Sequence, residues 1–243
     1  MSARAIRASS PQSTAELYIS GEYARRNPAW HVGESSWKAK QIIKMFLKHS
    51  LKPKRICDIG CGAGEVLRQL QGLLGNECVF EGYDISPGAI AMCLPKANER
   101  LHFTLGDGPA IAQDSFDLVL VLDVIEHLED YFGFLRRLKG IGRYTMFHIP
   151  LDLSVQTVLR PHGLLKRRES HYHLHYFTKQ TAVRMLEETG YEVADCMFTP
   201  RNLDLPGNMM QTLLKLPRRV GFAVSKELTV RLLGGFSLMV LAK

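Results

Sequence analysis

The chain lacks any apolar run approaching the ~20 residues that a membrane-spanning helix needs, so nothing in it reads as a transmembrane segment. Its first residues, Met1 to Pro11, are rich in Ser, Ala and Arg and hold no apolar core. They do not read as a secretory signal, although a transit peptide shares the Arg/Ser bias and leaves an organelle address open. The five cysteines, Cys57, Cys61, Cys78, Cys93 and Cys196, are odd in number and lack a framework spacing. Cys57 and Cys61 are not a CxxC pair, so no zinc signal is present. The expectation is reduced, mostly buried thiols in a cytoplasmic protein. Neither an internal repeat nor a low-complexity tract stands out.

What is present is an ordinary globular composition over 243 residues, 46% apolar and 23% charged. That suffices for one well-buried α/β domain, with or without a cap. The formal net charge is +7, with basic clusters at Lys52-Pro-Lys-Arg55, Lys166-Arg-Arg168 and Lys215-Leu-Pro-Arg-Arg219. This fits an anionic partner, whether nucleic acid, a phosphorylated metabolite or a membrane surface. The favoured expectation is a solvated basic face, since no cluster carries an aromatic binding signature.

Periodicity predicts strands over 55–60, 78–85, 101–106, 116–124, 143–149, 191–199 and 236–242. Helical patterns fall between them, with Ser86 and Thr178 as caps and Pro87 at a first helical position. The run Phe116–Val124 is almost continuously apolar, as a central parallel strand buried on both faces must be. Alternating strands and helices predict a doubly wound α/β sheet whose last two strands pair antiparallel. Residues 1–15 are expected to be a disordered tail, 16–50 an arm or lid, and 51–243 the main domain. Insertions at 151–177, irregular in pattern, and 201–233, helical, are expected near the mouth of a site.

The chemistry concentrates in Asp58-Ile-Gly-Cys-Gly-Ala-Gly64, between a strand and a helix start. Glycine tolerates positive φ and lets a ligand approach the backbone closely, and a helix N-terminus offers free N–H groups. Dinucleotide enzymes use such a turn too, but three acids narrow the reading. Asp58, two residues before the first glycine, suits a cationic ligand group. Asp84, at the next strand end, suits ribose hydroxyls. Asp107, after the third strand, suits an adenine amino group. Together they favour a ligand with an amine, a ribose and an adenine, and no pyrophosphate.

Here the sequence resembles the class I S-adenosylmethionine-dependent methyltransferases. The family's acid-GxGxG motif is matched by Asp58 to Gly64, its ribose acid by Asp84 within Gly82-Tyr-Asp-Ile-Ser86, and its adenine acid by Asp107. Its fourth-strand motif is matched by Phe116-Asp-Leu-Val-Leu-Val-Leu-Asp-Val-Ile-Glu-His-Leu128. One departure is Leu138-Lys-Gly-Ile-Gly142, where relatives commonly carry a Lys-Pro-Gly-Gly turn. The resemblance implies a seven-stranded, mostly parallel sheet with a reversed last strand, and S-adenosylmethionine as cofactor. It implies that Asp58, Gly60, Cys61, Gly62, Gly64, Asp84, Ile85, Asp107, Gly108 and Asp123 surround that cofactor.

The resemblance also implies methyl transfer to an oxygen or nitrogen of a small molecule. An acidic nucleophile needs a base, and Glu126, His127, His148 and His173 are the candidates. His171, His173 and His175 alternate, which in an extended segment puts them on one side. Asp123, Glu126, His127 and His173 also resemble the order in which small-RNA 2′-O-methyltransferases place their ligands to a divalent metal. Quinone and sugar methyltransferases carry similar segments without a metal, and the expectation here is no metal. RNA is the less favoured acceptor, and a non-catalytic cofactor-binding subunit is a further alternative. Tyr18, Tyr23, Trp30 and His31 are expected in a lid or a packing strap. Asn202–Leu233, with Met209-Met210, Leu213-Leu214 and Leu232-Leu233 among basic residues, suits an acceptor cover, a membrane contact or a homodimer interface.

Overall fold

The computed structural model describes residues 13–108, 116–206, 212–213 and 215–243. Seven strands form one sheet in the order β3-β2-β1-β4-β5-β7-β6. They are β1 (Arg55–Ile59), β2 (Val79–Asp84), β3 (Leu101–Leu105), β4 (Phe116–Leu122), β5 (Gly142–Pro150), β6 (Val193–Thr199) and β7 (Ser237–Ala242). Pairings from β3 through β5 are parallel, and β7 runs antiparallel to both β5 and β6. The seven-stranded, mostly parallel sheet with a reversed last strand is therefore as expected. The reversed strand lies inside the sheet, and β6 forms its edge.

Alternation along the central strands sorts two cores. Leu118, Leu120 and Leu122 of β4 join Ile42 and Phe46 of α3 (Ser35–His49) and Leu67 and Leu70 of α4 (Glu65–Leu74). Val119 and Val121 face the other way, onto Phe134 and Leu135 of α6 (Tyr131–Leu138) and Leu186 of α9 (Lys179–Glu188). Helix α5 (Pro87–Cys93) is capped by Ser86, whose hydroxyl accepts the Ala89 N–H, with Pro87 at its start. Strand order reverses between β1 and β4, and a crevice opens there at their carboxyl ends.

Two short helices, α1 (Thr14–Ile19) and α2 (Glu22–Arg26), form the N-terminal arm. Residues 1–12 of the expected tail lie outside the described residues; Ser13 caps α1 in a capping box, so the arm already begins there. Segment 151–177 was expected to be irregular and instead holds α7 (Val155–Leu159) and α8 (Gly163–His171). Helix α7 is a single capped turn, and α8 is charged nearly all round, so neither leaves an apolar period to read. The insertion after β6 is helical as expected: α10 (Arg201–Asp204), α11 (Lys215–Val224) and α12 (Lys226–Leu232). Met209, Met210 and Leu214 lie outside the described residues. No helix among the described residues is long and apolar enough to cross a membrane.

Candidate functional site

A cavity of about 840 Å³ runs along the carboxyl ends of β1, β2, β4 and β5, under the arm. Its floor is the turn between β1 and α4. The Gly60 and Cys61 N–H groups both donate to the Tyr83 carbonyl, at 2.8 and 3.0 Å. Gly60 and Gly64 have φ of 75° and 71°, and a side chain at either would start 2.5 Å from Val124 or Phe103. Only glycine makes this turn at this packing density. Asp84 stitches the turn to the next strand end, its two oxygens accepting the Gly62 and Ser86 N–H groups at 2.8 Å each. Burial raises its carboxyl above the ordinary range, partly offset by those two donors.

Asp58 lies beneath the turn, on the α3 face of the sheet. It is buried, and its Oδ1 has no hydrogen-bond partner among the described residues. Burial pushes its carboxyl up to about 8, against the opposing pull of Lys38. Ile85 and the exposed Asp107 line the cavity's far end. Gly64 and Gly108 stand behind the lining, Gly108 against the Ile59 side chain. Cys61 lines the cavity, and its thiol is raised well above its usual range by a hydrogen bond with the Cys93 thiol and by burial.

The other end is built on β4 and β5. Asp123 has φ of 55°, a left-handed conformation unusual for a residue other than glycine. Its N–H donates to the His148 carbonyl at 2.9 Å, which anchors this geometry to β5. One carboxylate oxygen lies 2.7 Å from His148 Nδ1, the other 2.5 Å from Lys38 Nζ. Burial alone would raise this carboxyl; His148 and Lys38 outweigh it and hold it well below the usual range. The second nitrogen of His148 lies 2.9 Å from Thr199 Oγ1. Both ring nitrogens of this expected base are thus already engaged.

Glu126 and His127 sit in a 3₁₀ turn, Ile125–His127, just past β4. The Glu126 carbonyl accepts the Leu174 N–H at 2.7 Å, tying this turn to the segment after α8. Its carboxyl is fully buried, with no hydrogen-bond partner on either oxygen among the described residues, and burial raises it far above the ordinary range. His127 and His173 meet edge to face with ring centres 5.0 Å apart. Their free ring nitrogens and a Glu126 oxygen all lie within 4.8 Å of one another, so these three can converge on one ion. Burial draws the His127 imidazole down to about 3. His173 Nδ1 lies 2.6 Å from Asp152 Oδ2, and Asp152 pairs with Arg167 at 3.2 Å.

The three alternating histidines were expected on one side. His171 and His173 do line the cavity, but His175 packs on Tyr131 and lies 2.9 Å from the Leu128 carbonyl. The rule needs an extended backbone, and here His171 ends a helix and Tyr172 has φ of 61°. Tyr18, Tyr23, Trp30 and His31 do roof the cavity. Tyr18 stacks on Tyr23 at 4.5 Å, Trp30 lies 5.0 Å from Tyr23, and His31 stacks on His171 at 6.3 Å. A Gly62 side chain would begin 3.5 Å from the Trp30 ring.

Sequence reasoning missed Lys38, Glu34, Arg201, Asp152 and Arg167, all of which line the cavity. Glu34 and Arg201 form an ion pair across it. Asp152 was reachable: it follows β5 as Asp58, Asp84 and Asp123 end or follow β1, β2 and β4. Lys38 had no signal, being a polar residue on a helix read only for its apolar spacing.

Residues 33–195 match a family profile described as "Methyltransferase domain". The chain is 34% identical over 112 residues to norajmaline N-methyltransferase of Rauvolfia serpentina, covering 43% of this chain and 38% of that protein. It is 39% identical over 92 residues to ubiquinone biosynthesis O-methyltransferase of Azorhizobium caulinodans, covering 36% of this chain and 35% of that protein. The matches thus span little more than a third of those relatives' length. Among solved structures, the fold is similar to phosphoethanolamine N-methyltransferase 2 of Haemonchus contortus, solved with phosphomonomethylethanolamine and S-adenosylhomocysteine. The TM-score is 0.65 at 15% identity, over 95% of this chain and 59% of that one. It is also similar to magnesium protoporphyrin IX methyltransferase of Synechocystis PCC 6803, solved with S-adenosylhomocysteine. There the TM-score is 0.59 at 14% identity, over 93% and 94% of the two chains.

Proposed function

This chain belongs to the methyltransferase-domain family, and we propose that it transfers a methyl group from S-adenosylmethionine to an oxygen or nitrogen of a small-molecule acceptor. The observation that carries this reading is Asp58. A buried carboxyl with an unpartnered oxygen, beside a glycine turn, is costly unless a cation arrives. The amino group of S-adenosylmethionine is such a cation, so the residues present fit the cofactor. In this reading Asp84 takes the ribose hydroxyls and Asp107 the adenine edge. When bound, S-adenosylmethionine supplies the electrophilic methyl group.

The chain's own part is to orient the acceptor, exclude water and take its proton. The arm aromatics close the cavity from above. His127 is the base we favour, because it lines the cavity and the Tyr172 carbonyl, 3.2 Å from Nδ1, leaves Nε2 as its proton-accepting nitrogen. A cavity lined from above by the arm aromatics supports a small acceptor over RNA. The Lys52–Arg55 cluster also lies at the opening of β1, opposite the cavity, where it cannot guide RNA to the site. The free cysteines support a cytoplasmic location. Taken alone, exposed Leu216, Val220 and Val224 on α11 suit a second copy as partner.

The test is calorimetric titration with S-adenosylhomocysteine. The wild type is expected to bind one equivalent at micromolar affinity, and Asp84→Ala to lose at least about tenfold, or ~1.4 kcal/mol. No heat with a folded wild type would end the methyl-transfer reading. Unchanged binding by Asp84→Ala would end the ribose assignment alone.

A further inference from the structure

We propose that the insertions after β5 and β6 form one docking face for a membrane surface that carries anionic lipid. Segments 155–171 and 205–233 make up 46 of the 243 residues, yet they hold ten of the fifteen large apolar side chains exposed among the described residues. Scattered exposed apolar residues are ordinary in a folded protein. A concentration of them in one place marks a contact surface.

Helix α11 sets the direction of this surface. Leu216, Val220 and Val224 recur every fourth residue and are 72%, 57% and 83% exposed. That spacing lays them along one stripe. The opposite side carries Arg218, which is buried, and Phe222, which stacks on Phe236 at 5.4 Å. A helix serving only its own core turns the apolar stripe inwards and the arginine outwards. Here the arginine is inside and the stripe faces the surroundings. Helix α12 continues the pattern: Leu228 and Leu232, four residues apart, are exposed, while Thr229 and Val230 are buried.

The two insertions are joined. The Gln156 side-chain oxygen on α7 accepts from Arg218 Nη2 at 3.1 Å and from the Gly234 N–H at 3.3 Å. Helix α7 is thereby fixed beside α11 and α12, and its Val155, Val158 and Leu159 are exposed as well.

Charge identifies the occupant. The same two segments hold nine Lys and Arg against two acids, Glu169 and Glu227, a surplus of seven. That surplus equals the net charge of the whole chain, +7, so the remaining residues balance. An apolar stripe rimmed by Lys and Arg complements an anionic bilayer surface: the apolar side chains enter the headgroup boundary and the basic ones meet lipid phosphates. A second copy matches the stripe but not its rim, because a two-fold contact sets seven surplus charges against seven. A nucleic acid matches the rim and has no use for the stripe. Phe236 also lines the cavity, so docking brings the cavity next to acceptors carried in the bilayer. That consequence rests on the methyl-transfer reading; docking does not.

The experiment is co-sedimentation of the full-length protein with phosphatidylcholine vesicles, with and without about one third phosphatidylglycerol. Binding to the anionic vesicles is expected to be at least about tenfold tighter, an advantage that high salt removes. The triple variant Leu216→Ser/Val220→Ser/Val224→Ser is expected to weaken it at least about tenfold. Arg219→Gln/Lys226→Gln is expected to weaken it about thirtyfold. Lys52→Gln/Lys54→Gln removes two exposed charges at the opposite end of β1 from the cavity and is expected to bind as the wild type does. Circular dichroism checks folding, and the two face variants are independent, so either one keeps the test open. A folded wild type that ignores anionic vesicles overturns the proposal, and so does equal binding to both kinds. Binding that survives both face variants, or falls as far in the Lys52/Lys54 variant, puts the contact elsewhere and overturns it too. A dimer in sedimentation velocity that the serine variant dissolves, without vesicle binding, gives the stripe to a second copy. Titration with S-adenosylhomocysteine separates this from the methyl-transfer reading. Cofactor binding without docking sinks only the docking face, and the reverse sinks only methyl transfer.

Discussion

Asp58 and Asp123 stand at the carboxyl ends of two hydrogen-bonded parallel strands, β1 and β4, and their surroundings drive them in opposite directions. Asp58 has a glycine turn above it, an oxygen without a partner, and a carboxyl pushed up by burial. Asp123 is partly exposed, has a partner on each oxygen, and is held ionised. One end of the crevice lacks a cation, while the other has brought its own in Lys38. The difference divides the labour of the site. The β1 end is completed by a cationic ligand; the β4 end is a preassembled support for whatever lies beside Glu126.

The comparison breaks most severely at Lys38. Lys38→Met leaves the Asp123 charge with His148 as its remaining partner among the described residues. Breaking a sequestered ion pair costs about 3 kcal/mol at the low end of its range, a fall of roughly 6–12 °C in melting temperature for a chain of this size. Calorimetric or fluorescence melting reads it. The double variant Lys38→Met/Asp123→Asn is expected to recover most of the loss, because it removes the orphaned charge as well. A single variant as stable as the wild type would show that the pair is not what holds this end.

At the β1 end the same substitution should act with the opposite sign on the apoprotein. Asp58→Asn removes a carboxyl that has no cation when the site is empty, so stability at pH 9 is expected to rise. Affinity for S-adenosylhomocysteine is expected to fall about thirtyfold, ~2 kcal/mol, the size of one charge-assisted hydrogen bond. Asp123→Asn is expected to lower stability instead. Equal responses of the two aspartates would dissolve the distinction.

A pH series sharpens it further. Asp58 keeps its proton in the folded chain up to about pH 8 and loses it near 3.8 when unfolded. Between those values the folded state binds more protons, so its contribution to stability falls as pH rises. Asp58→Asn should flatten that slope. Asp123, depressed, contributes the other sign: its stability is present above the unfolded carboxylate range and is lost as pH falls. Cofactor binding at pH 7 should also release up to one proton from Asp58. Calorimetry in two buffers of different ionisation enthalpy measures the release, and identical heats would count against this assignment.

This division was half legible in the sequence. The β1 end could be read because its parts are local. Asp58, three alternating glycines and Asp84 at the next strand end are fixed by strand alternation and by one turn geometry. The β4 end could not, because its partners come from distant segments. Lys38 reaches Asp123 from α3, and Thr199 reaches His148 from the sheet edge. The order Asp123, Glu126, His127, His173 was visible, yet it did not show that Asp123 pairs with Lys38 and His148. His175 was misassigned for a related reason. Alternation holds only for extended chain, and the left-handed Tyr172 interrupts it. Local rules recovered the elements and the turn, and tertiary contacts decided which charges meet.

The arm links the two ends, and its prediction is the smallest. Trp30 and His31 have φ of 44° and 52°, two consecutive left-handed residues that fold the arm back over the Gly62 turn. Neither is glycine, so each carries a cost on the order of 1 kcal/mol or more. The contacts of Trp30 with Tyr18 and Tyr23 offset it. Trp30→Ala keeps the strain and removes the ring, which favours the open arm. The expected result is a roughly fivefold faster dissociation of S-adenosylhomocysteine, ~1 kcal/mol, with association little changed. Stopped-flow fluorescence resolves the two rates. Faster association with unchanged dissociation would make the arm an obstacle to entry rather than a cover. The β1 end would then hold its ligand through Asp58 and the turn alone.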